Sequence, residues 1–505
     1  MMGPVARRSR RRSGIAARGA AALAITALLS LGCAHRVLER PWLEARSEHF
    51  AIYSTLTPEE TRELAVDLEV FRAAVGLFTN VRSLDPPIPV EIYAFGRAGD
   101  FRRFAPSRNV AGFIRPNPRS YQVLLGRFRG VASRTILYHE YVHFLLRNNG
   151  GMLLPRWYDE GFAEFLGTAE RRDETLVIGL PDPMRASWLV AAPPMEVEDV
   201  LDPGTLGGFH ERQVARFYAR AWLLVHFLSW DYEDPEGLRF TDRFSTYLSA
   251  LGKGVAPAEA LELAWGFGPS ELDGMLNDTV RKGVKTGSLP LEKLRYSDRV
   301  ELGPAPRPEM ATRLASLALA ADPGLARRLF EAALAADPGN ARALAGLGDS
   351  YKFEGRMEEA LPHFDRALEL DPTDPLNWLD RAEYRLDRAV REEDPARKSE
   401  LAEQARLDAE AARRLEPRSP EALWVYGASL SLLAGREAEG VAVLEEAART
   451  LPSDQLILGS LLQAYVAVGR QPDARRVAQH LVAMAHDQEE IAAIERLLEG
   501  ESPAQ

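Results

Sequence analysis

The stretch Tyr138–Phe144, which reads YHEYVHF, decides how we interpret the first half of the chain. Residues four apart on a helix lie one above the other, so His139 and His143 can bring two imidazoles to one metal ion, with Glu140 beside them. At ordinary residue frequencies a chance H-E-x-x-H arises in about one such chain in a hundred. The motif therefore predicts a metal-binding helix, but its neighbours must supply the rest of the site.

A second segment supplies a third candidate ligand. It begins twelve residues after the motif, spans Pro155–Gly167 and reads PRWYDEGFAEFLG. Spacings of three and four residues place Trp157, Glu160 and Glu164 on one helix face. Gly161 would let this helix approach the motif helix closely, as a shared metal requires. Glu160 is therefore the natural third ligand.

The two segments together resemble the gluzincin metallopeptidases, in which a glutamate on a second helix completes the zinc set begun by H-E-x-x-H. More narrowly, they are similar to the peptidase-MA-like domains of bacterial secreted proteins. Those domains carry an aromatic residue followed by Glu-Gly-x-Ala-Glu, matched here by Trp157 and by Glu160–Glu164. The resemblance implies an α+β gluzincin-like metallopeptidase domain, which we place at residues 47–285.

The resemblance also implies a role for each site residue. His139, His143 and Glu160 would bind Zn²⁺ and leave a fourth position for water. Glu140 would take the proton of that water as it attacks a peptide carbonyl, then pass it to the leaving amine. Glu164 would hydrogen-bond a ligand histidine and fix its orientation. The alternative for Glu164 is an exposed helix residue without a role in the site.

An oxyanion donor is harder to choose from sequence. Tyr218 matches a tyrosine that precedes an apolar helix in the related domains, so it is our candidate for stabilising the developing charge. A core position is the alternative for Tyr218. His210 is a weaker candidate, and His226 lies within an apolar run that favours a core histidine.

Local patterns predict the elements around the motif. Pro58 to Phe78 has helical periodicity, with Thr57 as its N-cap. Strand-like segments are expected at residues 50–53, 88–95, 112–115 and 121–125, the last two as a hairpin. The strand 121–125 resembles the edge strand along which gluzincins lay an extended substrate, held by main-chain hydrogen bonds.

Charge excludes one class of partner. The formal net charge is −11, and without the arginine-rich first 32 residues the chain is more acidic still, so we expect no nucleic-acid partner. Nine arginines and a single acid occupy residues 97–134. They form either a cationic rim for acidic ligands or solvated loops whose charges balance acids elsewhere on the domain.

The start of the chain predicts export. Residues 1–32 combine an arginine-rich region with an apolar run, as in a secretory signal, and Cys33 is the only cysteine. The sequence before Cys33 resembles the lipoprotein box, which implies lipidation of Cys33, a tether over 33–46 and an outer-membrane lipoprotein facing the periplasm or the surface. The alternative is an ordinary cleaved signal with an incidental cysteine.

The C-terminal third is repetitive. Acid-Pro or Leu-Pro pairs recur near positions 337, 371, 416 and 451, at intervals near 34 residues with one insertion. In the best copy the packing residues fall on the tetratricopeptide pattern. The resemblance implies an all-α tetratricopeptide solenoid over 307–487, after a linker at 286–306 and before a capping helix and tail at 488–505. Such repeats offer a concave surface to a protein partner.

These observations predict an exported zinc peptidase that hydrolyses proteins or peptides, with repeats that recruit a substrate or partner and a lipid anchor that holds it at a membrane. The alternative is a non-catalytic envelope scaffold, or a chaperone-like lipoprotein, whose zinc site is structural or silent.

Overall fold

The structure is a computed structural model that describes residues 36–79, 84–106, 110–126, 132–148, 154–191, 193–202, 211–485 and 488–500. The predicted signal at 1–32, Cys33 and His210 lie outside the described residues. Contacts divide the chain into two units, which are described separately: Met1–Trp42 with Pro304–Pro372, and Leu43–Gly303 with Thr373–Gln505.

A six-stranded sheet in the order β4-β5-β3-β2-β1-β9 forms the base of the second unit. Its strands are β1 Leu43–Arg46, β2 Phe50–Ser54, β3 Val90–Phe95, β4 Gly112–Pro116, β5 Tyr121–Gly126 and β9 Glu301–Pro304. β2, β3 and β5 run parallel, whereas β1 and β4 pair antiparallel with their neighbours β2 and β5. Ile52, Ile92 and Val123 lie side by side across the three parallel strands and are fully buried, which anchors the core.

The first long helix, α1 Pro58–Phe78, follows its local signals closely. The Thr57 side chain accepts a hydrogen bond from the Glu60 amide, and the Glu60 carboxylate accepts one from the Thr57 amide. This reciprocal cap, with Pro58 in the first turn, satisfies amides that a helix start leaves unpaired. The predicted helix and its N-cap are confirmed.

Most of the remaining elements in residues 98–293 of this unit are helices. They are α2 Ala98–Phe101, α3 Ala132–Arg147, α4 Arg156–Gly167, α5 Pro183–Ala191, α6 Val197–Leu201, α7 Glu211–His226, α8 Phe240–Gly252, α9 Pro257–Trp265 and α10 Pro269–Lys282, with a π-helical turn at Phe227–Asp231 and a 3₁₀ turn at Leu291–Lys293. A small sheet of β6 Glu170–Arg172, β7 Thr175–Ile178 and β8 Gly287–Pro290 completes it. α4 packs against both α3 and α7, so it is buried almost all round.

The two strands of the predicted hairpin lie where we expected them, but the predicted edge strand is wrong. The expected hairpin exists, with β4 and β5 antiparallel. However, β5 pairs with β3 on its other side, and β4 is the outermost strand at that end of the described sheet. The edge strand is therefore Gly112–Pro116 and not 121–125, because pairing with β3, distant in sequence, covers β5.

Two connecting segments also differ from expectation. We expected a tether over 33–46 and a linker over 286–306, but β1 lies in the first, and β8 and β9 lie in the second. β8 pairs with β7, and β9 lies beside β1. These short strands depend on partners far away in sequence, so they carry little periodicity of their own.

Helices in successive pairs make up the rest of the chain. The first unit contains α11 Arg307–Ala318, α12 Pro323–Ala336, α13 Ala341–Phe353 and α14 Met357–Leu370. The second contains α15 Pro375–Arg391, α16 Pro395–Leu415, α17 Pro420–Ser431, α18 Glu437–Thr450, α19 Gln455–Ala467, α20 Gln471–Met484 and α21 Gln488–Leu498. Small and aliphatic residues such as Ala360, Phe364 and Ala367 fill the spaces between paired helices. Across the described residues, no helix is both long and apolar enough to span a bilayer.

Candidate metal centre

Three predicted ligands converge between α3 and α4. His139 and His143 lie one turn apart on α3, with their Nε2 atoms 3.1 Å apart. Glu160 Oε2 lies 3.4 Å from His139 Nε2 and 3.3 Å from His143 Nε2. Donors bound to one tetrahedral zinc at about 2.0–2.1 Å are separated by about 3.3–3.4 Å. The three donor atoms therefore have the spacing of three corners of a zinc tetrahedron.

The carboxylate oxygen in this cluster lacks an ordinary partner. Glu160 is buried, and its Oε2 has no hydrogen-bond partner among the described residues. A buried acceptor without a partner costs free energy, and a cation between this oxygen and the two imidazoles would remove that cost. Two imidazoles and a carboxylate are also a usual zinc donor set. The residues present therefore fit the ion.

The charges around His143 favour a positive charge in the cluster. Burial alone would lower the pKa of His143, but the carboxylates of Asp159 and Glu160 outweigh it and raise the pKa to about 10. The pKa of Glu160 is held well below its usual value, because the nearby histidines outweigh the effect of its burial. A proton or a metal cation can supply the positive charge that these acids stabilise.

Asp159 orients one histidine, a contact that sequence reasoning missed. His143 Nδ1 lies 3.0 Å from Asp159 Oδ1, so it can donate a hydrogen bond that points Nε2 at Glu160. Arg147 donates to the other carboxylate oxygen from Nε at 3.1 Å and Nη2 at 2.6 Å. The sequence contained a signal for these contacts, because Asp159 directly precedes the ligand Glu160 and Arg147 lies one helical turn after the ligand His143.

Glu164 lies beside the other histidine. Its Oε1 is 3.6 Å from His139 Nδ1, outside hydrogen-bond distance. Its closest partner is Arg185 on α5, which donates to both carboxylate oxygens, at 2.7 and 3.1 Å. Glu164 is buried, so the alternative of an exposed helix residue is wrong. Sequence reasoning missed Arg185, which lies in a different helix.

Glu140 and Tyr218 complete the predicted set. Glu140 follows His139 on α3 and is half-buried, and its backbone carbonyl accepts a hydrogen bond from the Tyr121 hydroxyl at 2.9 Å. The Tyr218 ring lies 6.5 Å from the His139 ring, centroid to centroid, and Arg185 stacks over it. Burial, with the charge of Glu160, raises the pKa of Tyr218, so its hydroxyl keeps its proton.

Gly161 does not have the role that we expected. A Cβ at this position would collide with the carbonyl of Ala221 on α7. Gly167 instead faces α3, where an added Cβ would lie 3.3 Å from Thr135 O and 3.4 Å from His139 Cβ. Gly161 therefore permits close packing of α4 on α7 and not on the motif helix, since its side of α4 faces away from the ligands.

Trp157 and His226 belong to the hydrophobic core. Trp157 is fully buried and packs edge-on against Phe244 and Tyr247, so it does not share the ligand face of Glu160. His226 is also fully buried, with Nε2 2.8 Å from the Lys285 carbonyl. The prediction of a core histidine is confirmed for His226.

Comparisons with known proteins concern the repeats. A tetratricopeptide repeat family model matches residues 317–379. Solved structures similar to the chain include a thermophilic tetratricopeptide protein of Thermus thermophilus (23% identity, TM-score 0.34, 38% of this chain and 98% of that one). PilF of Pseudomonas aeruginosa (15%, 0.31, 38% and 82%) and yeast Tom70 (13%, 0.29, 62% and 68%) are also similar. The comparison with curated proteins finds no match.

The match and the pairing of successive helices define the class of the C-terminal part. It is an all-helical tetratricopeptide-like repeat region, as the sequence predicted. Since the three TM-scores are below 0.5, the family model and the helix pairing carry this conclusion. Stacked repeats of this kind serve protein–protein interaction.

Proposed function

We propose that the chain is a zinc-dependent peptidase whose repeats bind a protein substrate or partner. The observation that carries the proposal is the spacing of the donor atoms of His139, His143 and Glu160, which lie 3.1 to 3.4 Å apart. Bound zinc would lower the pKa of a water molecule and polarise a peptide carbonyl.

The chain's own residues would perform the proton transfers. Glu140, next to His139 on the same helix, would accept a proton from the attacking water and deliver it to the leaving amine nitrogen. The Tyr218 hydroxyl, kept protonated by burial, would donate a hydrogen bond to the oxygen that becomes negative. Asp159 would hold His143 in the tautomer that exposes Nε2 to the ion.

The edge strand β4 supports an extended peptide as substrate. β4 lies next to β5, and the Tyr121 hydroxyl at the start of β5 bonds the backbone of Glu140. A peptide added to β4 by main-chain hydrogen bonds would extend the sheet that packs on the motif helix. Such binding selects an extended backbone and not a particular sequence.

The test uses residues 34–505 of the chain, with Glu140→Gln as the central variant. We expect about one zinc per chain in both proteins, and cleavage of an unfolded protein such as reduced casein by the wild type alone. Cleavage at equal rates in both proteins would contradict the role of Glu140. Glu358→Gln, on the exposed side of α14, is the matched control and should cleave like the wild type.

The repeat match favours a second candidate, a non-catalytic envelope scaffold that binds a protein partner. The comparisons support this function better than the peptidase, because the matching family model covers repeat residues alone. Zinc analysis and cleavage separate the two candidates. If the wild type binds zinc but cleaves no protein that Glu140→Gln leaves intact, the chain would be a scaffold with a structural metal.

We also propose that the protein is exported and anchored through a lipid on Cys33. The support is the sequence alone: an arginine-rich start, an apolar run and a single cysteine at its end. In an expressing bacterium, wild type should partition with membranes, and Cys33→Ser should appear in the soluble fraction after signal cleavage. A processed Cys33→Ser protein that remains in the membrane would contradict lipid anchoring.

A further inference from the structure

The repeat helices of the second unit contact the elements that form the metal centre. Leu423, Leu451 and Ile457, on or next to α17, α18 and α19, belong to the same buried cluster as Tyr121 and Phe144. These helices therefore share a hydrophobic core with the sheet and the motif helix. The sequence suggested that a linker at 286–306 separates the repeats from the first domain. These repeat helices instead pack directly against that domain.

Polar contacts add to this shared core at both metal-binding helices. At the end of α3, Asn148 Oδ1 accepts hydrogen bonds from the Ser453 amide at 3.3 Å and hydroxyl at 2.9 Å. At the start of α4, the Arg156 guanidinium donates to the Ala485 carbonyl at 3.3 Å. Repeat residues thus hold one end of each helix that carries metal ligands.

A third contact holds the turn between β4 and β5. The Arg119 guanidinium lies 2.5 Å from Glu421 Oε1 on α17 and 2.7 and 3.2 Å from Asp380 and Glu383 on α15. Asp380 and Glu421 are only 1% exposed. Contacts with these three acids hold the Arg119 guanidinium in place; burial raises the pKa of Glu421 well above its usual value, and the charge of Arg119 opposes that rise.

Hydrogen bonds within the turn also stabilise its conformation. Asn117 Oδ1 accepts hydrogen bonds from the backbone amides of Arg119 and Ser120, at 2.9 and 3.0 Å. Two residues after Arg119, Tyr121 donates its hydroxyl to the Glu140 carbonyl and stacks on Phe144, with ring centroids 3.9 Å apart. A short covalent and hydrogen-bonded path therefore joins the repeat helices to the H-E-x-x-H segment.

We propose that Arg119 is a positioning residue through which α15 and α17 fix the β4–β5 hairpin and the Glu140 segment. The repeat residues 373–485 then help to position the β4–β5 hairpin and the Glu140 segment next to the metal centre. The expected effect on cleavage rests on the proposed peptidase function, whereas the effect on the hairpin does not.

Hydrogen–deuterium exchange of residues 34–505 tests the structural part. In Arg119→Ala, amides of β4 and β5 should exchange at least about tenfold faster, while those of β1 and β2 keep their wild-type rates. Arg119→Lys, which keeps the charge but loses the forked geometry, should fall between. Arg172→Ala, which removes an exposed ion pair with Glu170, is the matched control and should exchange like the wild type. Unchanged exchange of the hairpin in Arg119→Ala would overturn the proposal.

A second variant guards against loss of folding. Arg119→Gln combined with Glu421→Gln removes the cation together with one of the three acids that face it, so two acids and not three lose their contact with Arg119. If it folds, its hairpin should still exchange faster than that of the wild type; wild-type protection would contradict the proposal.

Cleavage supplies the functional readout. With zinc content unchanged, Arg119→Ala should raise the KM for an unfolded protein more than it lowers kcat, because the hairpin that receives the peptide is no longer fixed. If Arg119→Ala has the KM and kcat of the wild type, Arg119 does not affect substrate binding through the hairpin. If the wild type cleaves nothing, the peptidase proposal fails, and the exchange data still decide the role of Arg119.

Discussion

Helices α4 and α14 place their acids in opposite surroundings. In α4, Asp159, Glu160 and Glu164 are 6–7% exposed, and each faces a specific cation or imidazole. In α14 the buried residues are alanine, phenylalanine and leucine, and an acid such as Glu359 pairs at the surface with Arg356. Burying a carboxylate costs several kcal/mol unless it is well paired. The acids of α4 therefore depend on these partners, whereas those of α14 are exposed to water.

The largest expected effect comes from removing one of these buried acids. Asp159→Ala leaves the Arg147 guanidinium and His143 without their partner, so we expect a loss of about 3 kcal/mol in the free energy of unfolding, measured by urea denaturation. Glu359→Ala, the matched change in α14, should leave the urea midpoint unchanged, because that pair is solvated. Equal shifts for both variants would remove the contrast between the helices.

A smaller effect is expected from two glycines. Gly161→Ala would press a methyl group into the Ala221 carbonyl and force α4 from α7, at a cost of about 1–3 kcal/mol. Gly459→Ala on α19 meets no atom within 4 Å and should stabilise by up to about 1 kcal/mol through helix propensity. Thermal unfolding of both variants tests whether Gly161→Ala destabilises and Gly459→Ala stabilises the protein. A stabilising Gly161→Ala would show that α4 does not need this close approach to α7.

The smallest effect concerns orientation and not stability. Arg185→Ala frees the Glu164 carboxylate, so its negative charge is no longer fixed 3.6 Å from His139 Nδ1, and zinc affinity should fall by at most about tenfold. Competition with a chromophoric chelator measures this change. Arg313→Ala in the repeats, which removes a pair with Glu309, should have wild-type affinity. A drop of the same size in both variants would show that Arg185 does not act through Glu164.

Local signals predicted the elements that depend on neighbouring residues. The cap at Thr57, the helix from Pro58 to Phe78 and the spacing of His139 and His143 each depend on residues within one or two helical turns. The helical repeats were equally predictable, since each helix pair packs on its neighbours in sequence.

Features set by distant contacts were predicted incorrectly or missed. At the hairpin end of the six-stranded sheet the outermost strand is β4, because β5 pairs with β3, some 30 residues before it. Gly161 faces α7, and Arg185 reaches Glu164 from another helix. The ion pairs of Arg119 with Asp380 and Glu421 join residues more than 260 apart. Within the arginine-rich segment 97–134, Arg119 pairs with acids of the repeat helices, which neither the cationic rim nor a balance within residues 47–285 predicted.

We infer that His139, His143 and Glu160 together form one zinc site. Zinc per chain in residues 34–505, measured by inductively coupled plasma mass spectrometry after dialysis against trace zinc, tests it most directly. We predict about one zinc per wild-type chain, and almost none in His143→Ala or Glu160→Ala, with His363→Ala on α14 unchanged from the wild type. Equal zinc in all four proteins, or none in the wild type, would contradict the account.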